Sequence, residues 1–162
     1  MVDVINHIEK FHYLNREFKA ESLIRETKIL NIARLAKMLI DLYGQDEPFT
    51  KVGKYEGKEI ELYLKELGGY ITFILNSDKD NFNCHPERAR NPIAKVIVNV
   101  KKEKVLRVIS DIIRSKHNIS GLIKLVKYVL PGKLKIKGSY IAAIKLARCL
   151  MIGKHNMYNE GK

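Results

Sequence analysis

The first 43 residues carry apolar side chains at helical intervals. Val4, Ile8, Phe11 and Phe18 follow one another at intervals of four, three and seven residues, which places them on one side of a helix. Residues 23–42 form a second apolar run with the same kind of spacing, and Gly44 supplies a stop signal. The pattern therefore predicts two helices before residue 44.

From residue 59 onward the period of the pattern changes from helical to alternating. Ile60, Leu62 and Leu64 alternate with more polar residues, as in a strand with one buried face. Gly68 and Gly69 mark a turn into a second strand, so these two strands are expected to pair antiparallel. The strands after the first are predicted at residues 70–76, 82–84, 94–100 and 133–137.

Apolar stripes return at helical spacing around the last of these strands. Two helices are predicted before it, and Ser139 is a suitable N-cap for a final helix after it. Because runs of strands and runs of helices are largely separate in the sequence, the pattern predicts an α+β fold with the helices on one face of the sheet. The three helices are predicted at residues 105–114, 119–130 and 139–152.

The length of 162 residues fits one domain, predicted to span residues 1–162. A chain of this size buries roughly 70% of the surface that its unfolded form exposes, and 46% of the residues are apolar. A full core is therefore expected without disulfide bonds or metal ions. The two cysteines, Cys84 and Cys149, indicate a reducing compartment, and the N-terminus lacks a signal-peptide pattern. The expected location is cytoplasmic.

Basic residues outnumber acidic residues by 30 to 18, which gives a net charge of +12. Such an excess favours contact with phosphates, on nucleic acid or on an anionic membrane surface. The lysines are spread along the chain, however, and a solvated basic surface explains the same charge. Nucleic acid is the least favoured partner, because the sequence lacks an aromatic-rich basic sheet and a helix-turn-helix pattern.

The segment PGKLKIKG at residues 131–138 is followed by a helix of small and apolar residues. In this combination the chain resembles the sterol-carrier-protein family, in which a similar lysine-alternating strand follows two helices and leads into the last helix. The strand AKVIVNV at residues 94–100 and the helix after it agree in order, and the resemblance covers residues 55–152. A helical extension at residues 1–44 and a polar tail at residues 153–162 lie outside it.

The resemblance implies a five-stranded, largely antiparallel sheet with helices packed on one face. Members of the family enclose an apolar tunnel between the sheet and the helices, which accepts sterols, fatty acyl chains or other lipids. The expected partner is therefore an apolar small molecule or a lipid, and no further cofactor is expected. The additional N-terminal helices could cover the core, close the tunnel or form a homodimer.

The last predicted helix is apolar over a wider arc than packing on a sheet requires. A ligand, the N-terminal helices or a second copy of the chain could cover the excess, and plain burial in the core explains it as well. If a tunnel exists, this helix and the apolar stripes of the two preceding helices are expected to line it. The candidate ligand-binding residues are Ile109, Ile112, Ile113, Leu125, Val129, Ile141, Ile144 and Met151.

No motif in the sequence carries catalytic chemistry or a metal site. The His and Cys spacings of metal sites, the GxSxG nucleophile motif and the phosphate-binding glycine loops are all absent. Glu59 and Glu61 lie on one face of a strand and are expected to face solvent. The sequence therefore predicts a non-catalytic protein that binds or carries an apolar ligand. The alternative is a ligand-free interaction domain or homodimer that uses its apolar helices.

Overall fold

The structure, a computed structural model, describes residues 2–115 and 119–152, with side chains from residue 16 onward except at position 119. The polar tail predicted at residues 153–162 lies outside the described residues. The same holds for the side chains of Val4, Ile8 and Phe11 in the first predicted stripe, whereas its fourth member, Phe18, is 70% exposed because no described element covers that side of α1 there.

A five-stranded sheet forms the centre of the fold. Its strands are β1 (Glu59–Leu64), β2 (Gly69–Ile74), β3 (Asn83–His85), β4 (Ala94–Val98) and β5 (Leu134–Gly138). Their order in the sheet is β3-β2-β1-β4-β5, and only the central pair, β1 and β4, is parallel. The predicted α+β class and the largely antiparallel five-stranded sheet are therefore confirmed.

The two faces of the sheet differ in polarity because successive residues of a strand point to opposite faces. Leu62 pairs with Ile71 on β2 and with Val96 on β4, and these side chains form an apolar face. Its neighbour Glu61 pairs with Thr72 and lies on the opposite, polar face. The helices pack on the apolar face, as the sequence predicts.

The N-terminal region forms one helix, α1 (Val2–Tyr43), where the sequence pattern predicts two. No glycine or proline occurs between residues 2 and 43, so nothing in the backbone breaks the helix between its two apolar runs. The helix ends at the predicted stop, where the Gly44 amide donates to the carbonyl oxygen of Ile40 at 2.7 Å. Between residues 29 and 40, one side of α1 is buried where the helix contacts β2 and β3, whereas Leu35 and Met38 on its other side are exposed.

The close approach of α1 to the sheet depends on a residue without a side chain. A Cβ atom at Gly69, the first residue of β2, would lie 2.5 Å from Cδ1 of Ile29. Glycine therefore lets α1 lie directly on the strand, and the helix shields this end of the sheet from water.

A short helix, α2 (Asp46–Thr50), fills the corner between α1 and the sheet. Phe49 and Val52 are fully buried there, and the Phe49 ring packs edge-on against Phe82 at 5.4 Å between ring centres. The connection after α1 is therefore part of the core.

Three further helices complete the apolar side: α3 (Val105–Ile113), α4 (Ile119–Val129) and α5 (Tyr140–Leu150). Ser139 caps α5 as predicted, because its Oγ accepts a hydrogen bond from the Ala142 amide at 3.2 Å. Helix α3 contacts both α4 and α5, and α4 contacts β5. Among the described residues, no helix combines the length and the apolarity that crossing a bilayer would require.

Candidate functional site

An apolar hollow of about 80 Å³ lies between the sheet and the helices. Every side chain in its wall is a hydrocarbon, contributed by Ala, Val, Leu, Ile or Phe. At about 24 cal/mol per Å³, an empty hollow of this size lowers the free energy of unfolding by about 2 kcal/mol. Well-packed interiors contain few such voids, so this hollow is the strongest candidate for a binding site.

The floor of the cavity is the apolar face of the sheet. Ile71 is completely buried, Val98 and Phe73 are each 2% exposed, and all three line the cavity. Alternation along the strands is the signal that identifies these residues, because each strand must turn one face toward the helices. The remaining floor residues are Leu62, Val96, Leu134 and Ile136.

The roof of the cavity comes from α3 and α4. Five residues predicted from their apolar stripes lie together in its wall: Ile109, Ile112, Ile113, Leu125 and Val129. Of these, only Ile113 is buried, whereas the other four are half-buried. The roof is therefore more open to solvent than the floor, where Ile71, Phe73, Val98 and Leu134 are buried and only the three other residues are half-buried.

Helix α5 forms one side wall through residues other than those predicted. Ala143, Leu146, Ala147 and Leu150 follow the spacing of one helix face and line the cavity. None of the three candidates at this end of the chain, which are Ile141, Ile144 and Met151, belongs to the wall.

Each of these three residues lies elsewhere for a geometric reason. Ile141 is 59% exposed because it lies on the outer side of α5. Ile144 is half-buried one position away from the face that lines the cavity. Met151 follows the end of the helix and is buried, 2% exposed, outside the cavity.

The wide apolar arc of α5 is covered largely by the protein itself. The second apolar side of the helix contains Ala142 and Cys149, which are 0% and 2% exposed. Helices α1 and α2 contact α5, and Lys145 Nζ on α5 donates a hydrogen bond to the carbonyl oxygen of Lys51 just after α2. The N-terminal region and the core therefore cover much of the apolar surface of α5. The remaining apolar side, at Ala143 and Leu146, faces the cavity.

The polar face of the sheet carries an ion-pair cluster rather than a catalytic arrangement. Glu61, predicted to face solvent, is 1% exposed and lies 3.1 Å from Lys95 Nζ and 3.6 Å from Arg88 Nε. The segment after β3 covers it, since Thr72 donates a hydrogen bond to the Glu87 carbonyl oxygen at 2.8 Å. Within the described residues, no three His, Cys, Asp or Glu side chains are grouped as a metal site would need.

Neither cysteine is prepared for nucleophilic chemistry. Burial raises the pKa of the Cys149 thiol to about 12 and also raises the pKa of Cys84 from its ordinary value of 9.0. Both thiols are therefore protonated near neutral pH, and a protonated thiol is a poor nucleophile.

Comparison with known proteins gives a structural match only. No protein-family model matches the chain, and no curated protein sequence matches it. A solved structure described as "UbiJ-SCP2 Ubiquinone synthesis protein" matches with a TM-score of 0.53 and 14% identity, covering 76% of this chain and 93% of that one. A stereoselective inverting sec-alkylsulfatase from a Pseudomonas species reaches a TM-score of 0.43 at 10% identity, covering 69% of this chain and 15% of that one.

Proposed function

We propose that this chain, which has a sterol-carrier-like fold, binds an apolar ligand such as a fatty acyl or isoprenoid chain between its sheet and its helices. The observation that carries the proposal is the wholly hydrocarbon cavity at that place. The proposed role is non-catalytic, because the cavity wall offers no acid, base or nucleophile.

The size of the cavity sets a condition on binding. A hollow of about 80 Å³ is smaller than the roughly 150 Å³ that holds benzene in an engineered protein core. A longer chain therefore requires the roof to move outward. The half-buried state of Ile109, Ile112, Leu125 and Val129 supports such a movement, because these side chains give up less contact than a fully buried side chain such as Ile71 would.

The hydrophobic effect supplies enough free energy for binding without polar contacts. Each methylene that leaves water contributes about 0.8 kcal/mol, so a chain of about ten carbons gains several kcal/mol even after the roof is displaced. A wall without polar atoms selects ligands by length and width rather than by functional group.

A cavity-filling substitution tests the proposal. Ala147 lines the cavity and is 8% exposed, so Ala147→Leu places three further carbons in the hollow. We expect the variant to bind decanol about tenfold more weakly than the wild type, because the displaced volume removes contacts of about one to two methylenes. Native mass spectrometry and titration with a fluorescent fatty-acid probe measure the loss.

The matched control is Ala20→Leu, the same chemical change at an exposed position of α1. It should leave the affinity for decanol unchanged. If Ala147→Leu folds normally and binds decanol as well as the wild type does, or if the wild type takes up no apolar chain, the ligand does not occupy this cavity and the proposal is wrong.

The alternative proposal is a homodimer or ligand-free interaction domain. It is supported by the outer side of α1, where Leu35, Met38 and Leu42 are 45–60% exposed at intervals of three and four residues. Such a stripe is suited to packing against a second helix. Sedimentation equilibrium distinguishes the two ideas, because a dimer that Met38→Glu dissociates would favour the alternative.

An anionic membrane surface stays a proposed partner in addition to the ligand. Helices α3 and α4 expose Leu106, Ile123 and Val126 on the outside of the cavity roof, and these side chains could enter a lipid interface. Nucleic acid is a weaker proposal that rests on net charge alone. Binding to anionic vesicles but not to DNA at the same low salt concentration would separate the two.

A further inference from the structure

A second concave surface adjoins the cavity roof between α3, α4 and the start of β5. It encloses about 470 Å³. We call it the basic basin, and its charged and polar side chains are those of Arg114, Lys124, Lys127, Lys133, Asp111, Ser115 and Tyr128.

The basic basin and the apolar cavity share part of their walls. Ile112 of α3 and Leu125 of α4 line both spaces, so these two side chains form the partition between them. Both are only half-buried. A ligand that pushes the partition aside reaches the basin from the cavity without crossing the sheet.

The charges in the basic basin are not balanced by the protein. Its four cations face one carboxylate, Asp111, which already accepts a hydrogen bond from the Tyr128 hydroxyl. Within the described parts of the chain, no ion pair joins Arg114, Lys124 or Lys127 to an acidic side chain, whereas Lys95 and Arg88 both pair with Glu61.

The surrounding sequence adds to this positive potential. Residues 101–137 contain eleven Lys and Arg residues and two Asp and Glu residues, a net charge of +9 out of +12 for the whole chain. The net charge is therefore concentrated in the segment that forms the cavity roof and the basin. Like charges held close together repel one another, and a bound anion relieves that repulsion.

We infer that the ligand is an amphiphile with an anionic head, a carboxylate or a phosphate, whose tail occupies the apolar cavity while its head lies in the basic basin between α3 and α4. This inference rests on the proposed function. It adds the chemical class of the head group, which the hydrocarbon wall of the cavity alone cannot specify.

The physical reason is the high free energy of an anion inside a hydrocarbon wall. A carboxylate drawn into the cavity would lose its hydration without gaining a partner. In the basin the same group meets Lys124, Lys127 and Lys133, and Arg114 can donate two parallel hydrogen bonds to it. Tail and head thus find complementary surroundings on either side of Ile112 and Leu125.

The test compares decanoate with decanol, which share the tail and differ in head charge. We expect the wild type to bind decanoate at least about tenfold more tightly at low salt. The double substitution Lys124→Gln/Lys127→Gln should weaken the binding of decanoate about tenfold and leave the binding of decanol unchanged. Two exposed ion pairs between lysine and the head group together account for a change of that order.

The matched control is Lys135→Gln/Lys137→Gln, which removes the same charge from exposed positions on β5. These residues pair with Ile97 and Lys95 on the polar face of the sheet, away from the basin. The control should change neither affinity by more than about twofold, because neither side chain lines the basin and exposed charges without direct contact to the head contribute little.

The outcomes separate this inference from the proposed function. If the wild type binds decanoate and decanol with equal affinity, or if both double variants lose the same affinity for decanoate, the anionic head group is ruled out and the cavity proposal stands. Failure to bind either compound overturns both. Inorganic phosphate provides a third comparison: if phosphate alone binds as tightly as decanoate, the basin takes free anions without the cavity, and the inference is wrong.

Discussion

Leu146 offers the sharpest test of how the cavity is built. Its side chain lines the hollow from α5 and is 4% exposed. Leu146→Ala removes three carbon atoms from the wall without adding a polar group. The substitution should therefore lower the free energy of unfolding and enlarge the hollow together.

The expected loss follows from two contributions. Removing three buried carbons forfeits about 2.4 kcal/mol of transfer free energy at about 0.8 kcal/mol for each. If the hollow of about 80 Å³ doubled and stayed open, the added volume would contribute about 2 kcal/mol more at about 24 cal/mol per Å³. Because the half-buried roof can settle inward, only part of the second contribution is expected. The free energy of unfolding should therefore fall by about 3 kcal/mol.

Urea denaturation with and without benzene measures both consequences. A doubled hollow approaches the roughly 150 Å³ at which engineered apolar cavities bind benzene, so benzene should stabilise Leu146→Ala more than the wild type. The control is Leu23→Ala on α1, where the side chain is 65% exposed and the loss should stay within about 0.5 kcal/mol. A loss below about 1 kcal/mol in Leu146→Ala, with no response to benzene, would refute the described packing.

Two further predictions concern the backbone and a buried thiol. Gly138 has a φ of +84°, and a Cβ there would lie 2.5 Å from the Ile93 carbonyl oxygen, whereas Gly132 (φ +71°) has nothing within 4 Å. Gly138→Ala should therefore destabilise the protein by about 2 kcal/mol more than Gly132→Ala in urea denaturation, and equal losses would contradict this close contact. The folded-state pKa of Cys149 is raised from 9.0 to about 12, so the stability that its protonated thiol contributes is present below pH 9 and is lost as the pH rises from 9 toward 12. Over that range the wild type should lose up to about 1.4 kcal/mol per pH unit more than Cys149→Ala, and parallel curves would contradict the shift.

Local patterns were sufficient to predict most elements of the fold. The alternation around Ile60 and the alternating lysines just before Gly138 identify strands, and the cap at Ser139 identifies the start of α5. The parallel pairing of β1 with β4 was not predictable in this way. The pairing depends on the path by which the chain returns to the sheet after β3. The spacing of apolar residues within a strand contains no information about that path.

The length of α1 shows a limit of apolar patterns. Two separate apolar runs predict two helices, but residues 2–43 contain no helix-breaking residue and form one. The absence of glycine and proline was the better signal, because the backbone breaks where hydrogen bonds or φ angles require it. Apolar spacing reports which side of a helix is buried, not where the helix ends.

The candidate site was predictable where a helix carries a single apolar stripe. The stripes of α3 and α4 place Ile109, Ile112 and Leu125 on the side of each helix that lines the cavity. Helix α5 has neighbours on two sides, and its sequence does not show which side meets α2 and which meets the hollow. The exposure of Ile141 and the burial of Met151 follow from that packing.

Glu61 illustrates a third limit of sequence reasoning. Strict alternation places it on the polar face, which is correct, but its burial depends on a segment after β3 that crosses this face. The positions of Arg88 and Lys95 around its carboxylate are tertiary features. Sequence alone therefore predicted the side of the sheet and missed the surroundings.

Methyl NMR spectroscopy tests the central proposal most directly. When decanoate is added to protein labelled at its Ile, Leu and Val methyl groups, the signals of the cavity residues Ile109, Ile113 and Leu146 should shift together and saturate at one equivalent. The signals of the exposed residues Leu23 and Ile141 should stay in place. Shifts confined to exposed methyl groups, with those of the cavity unchanged at saturation, would contradict binding between the sheet and the helices.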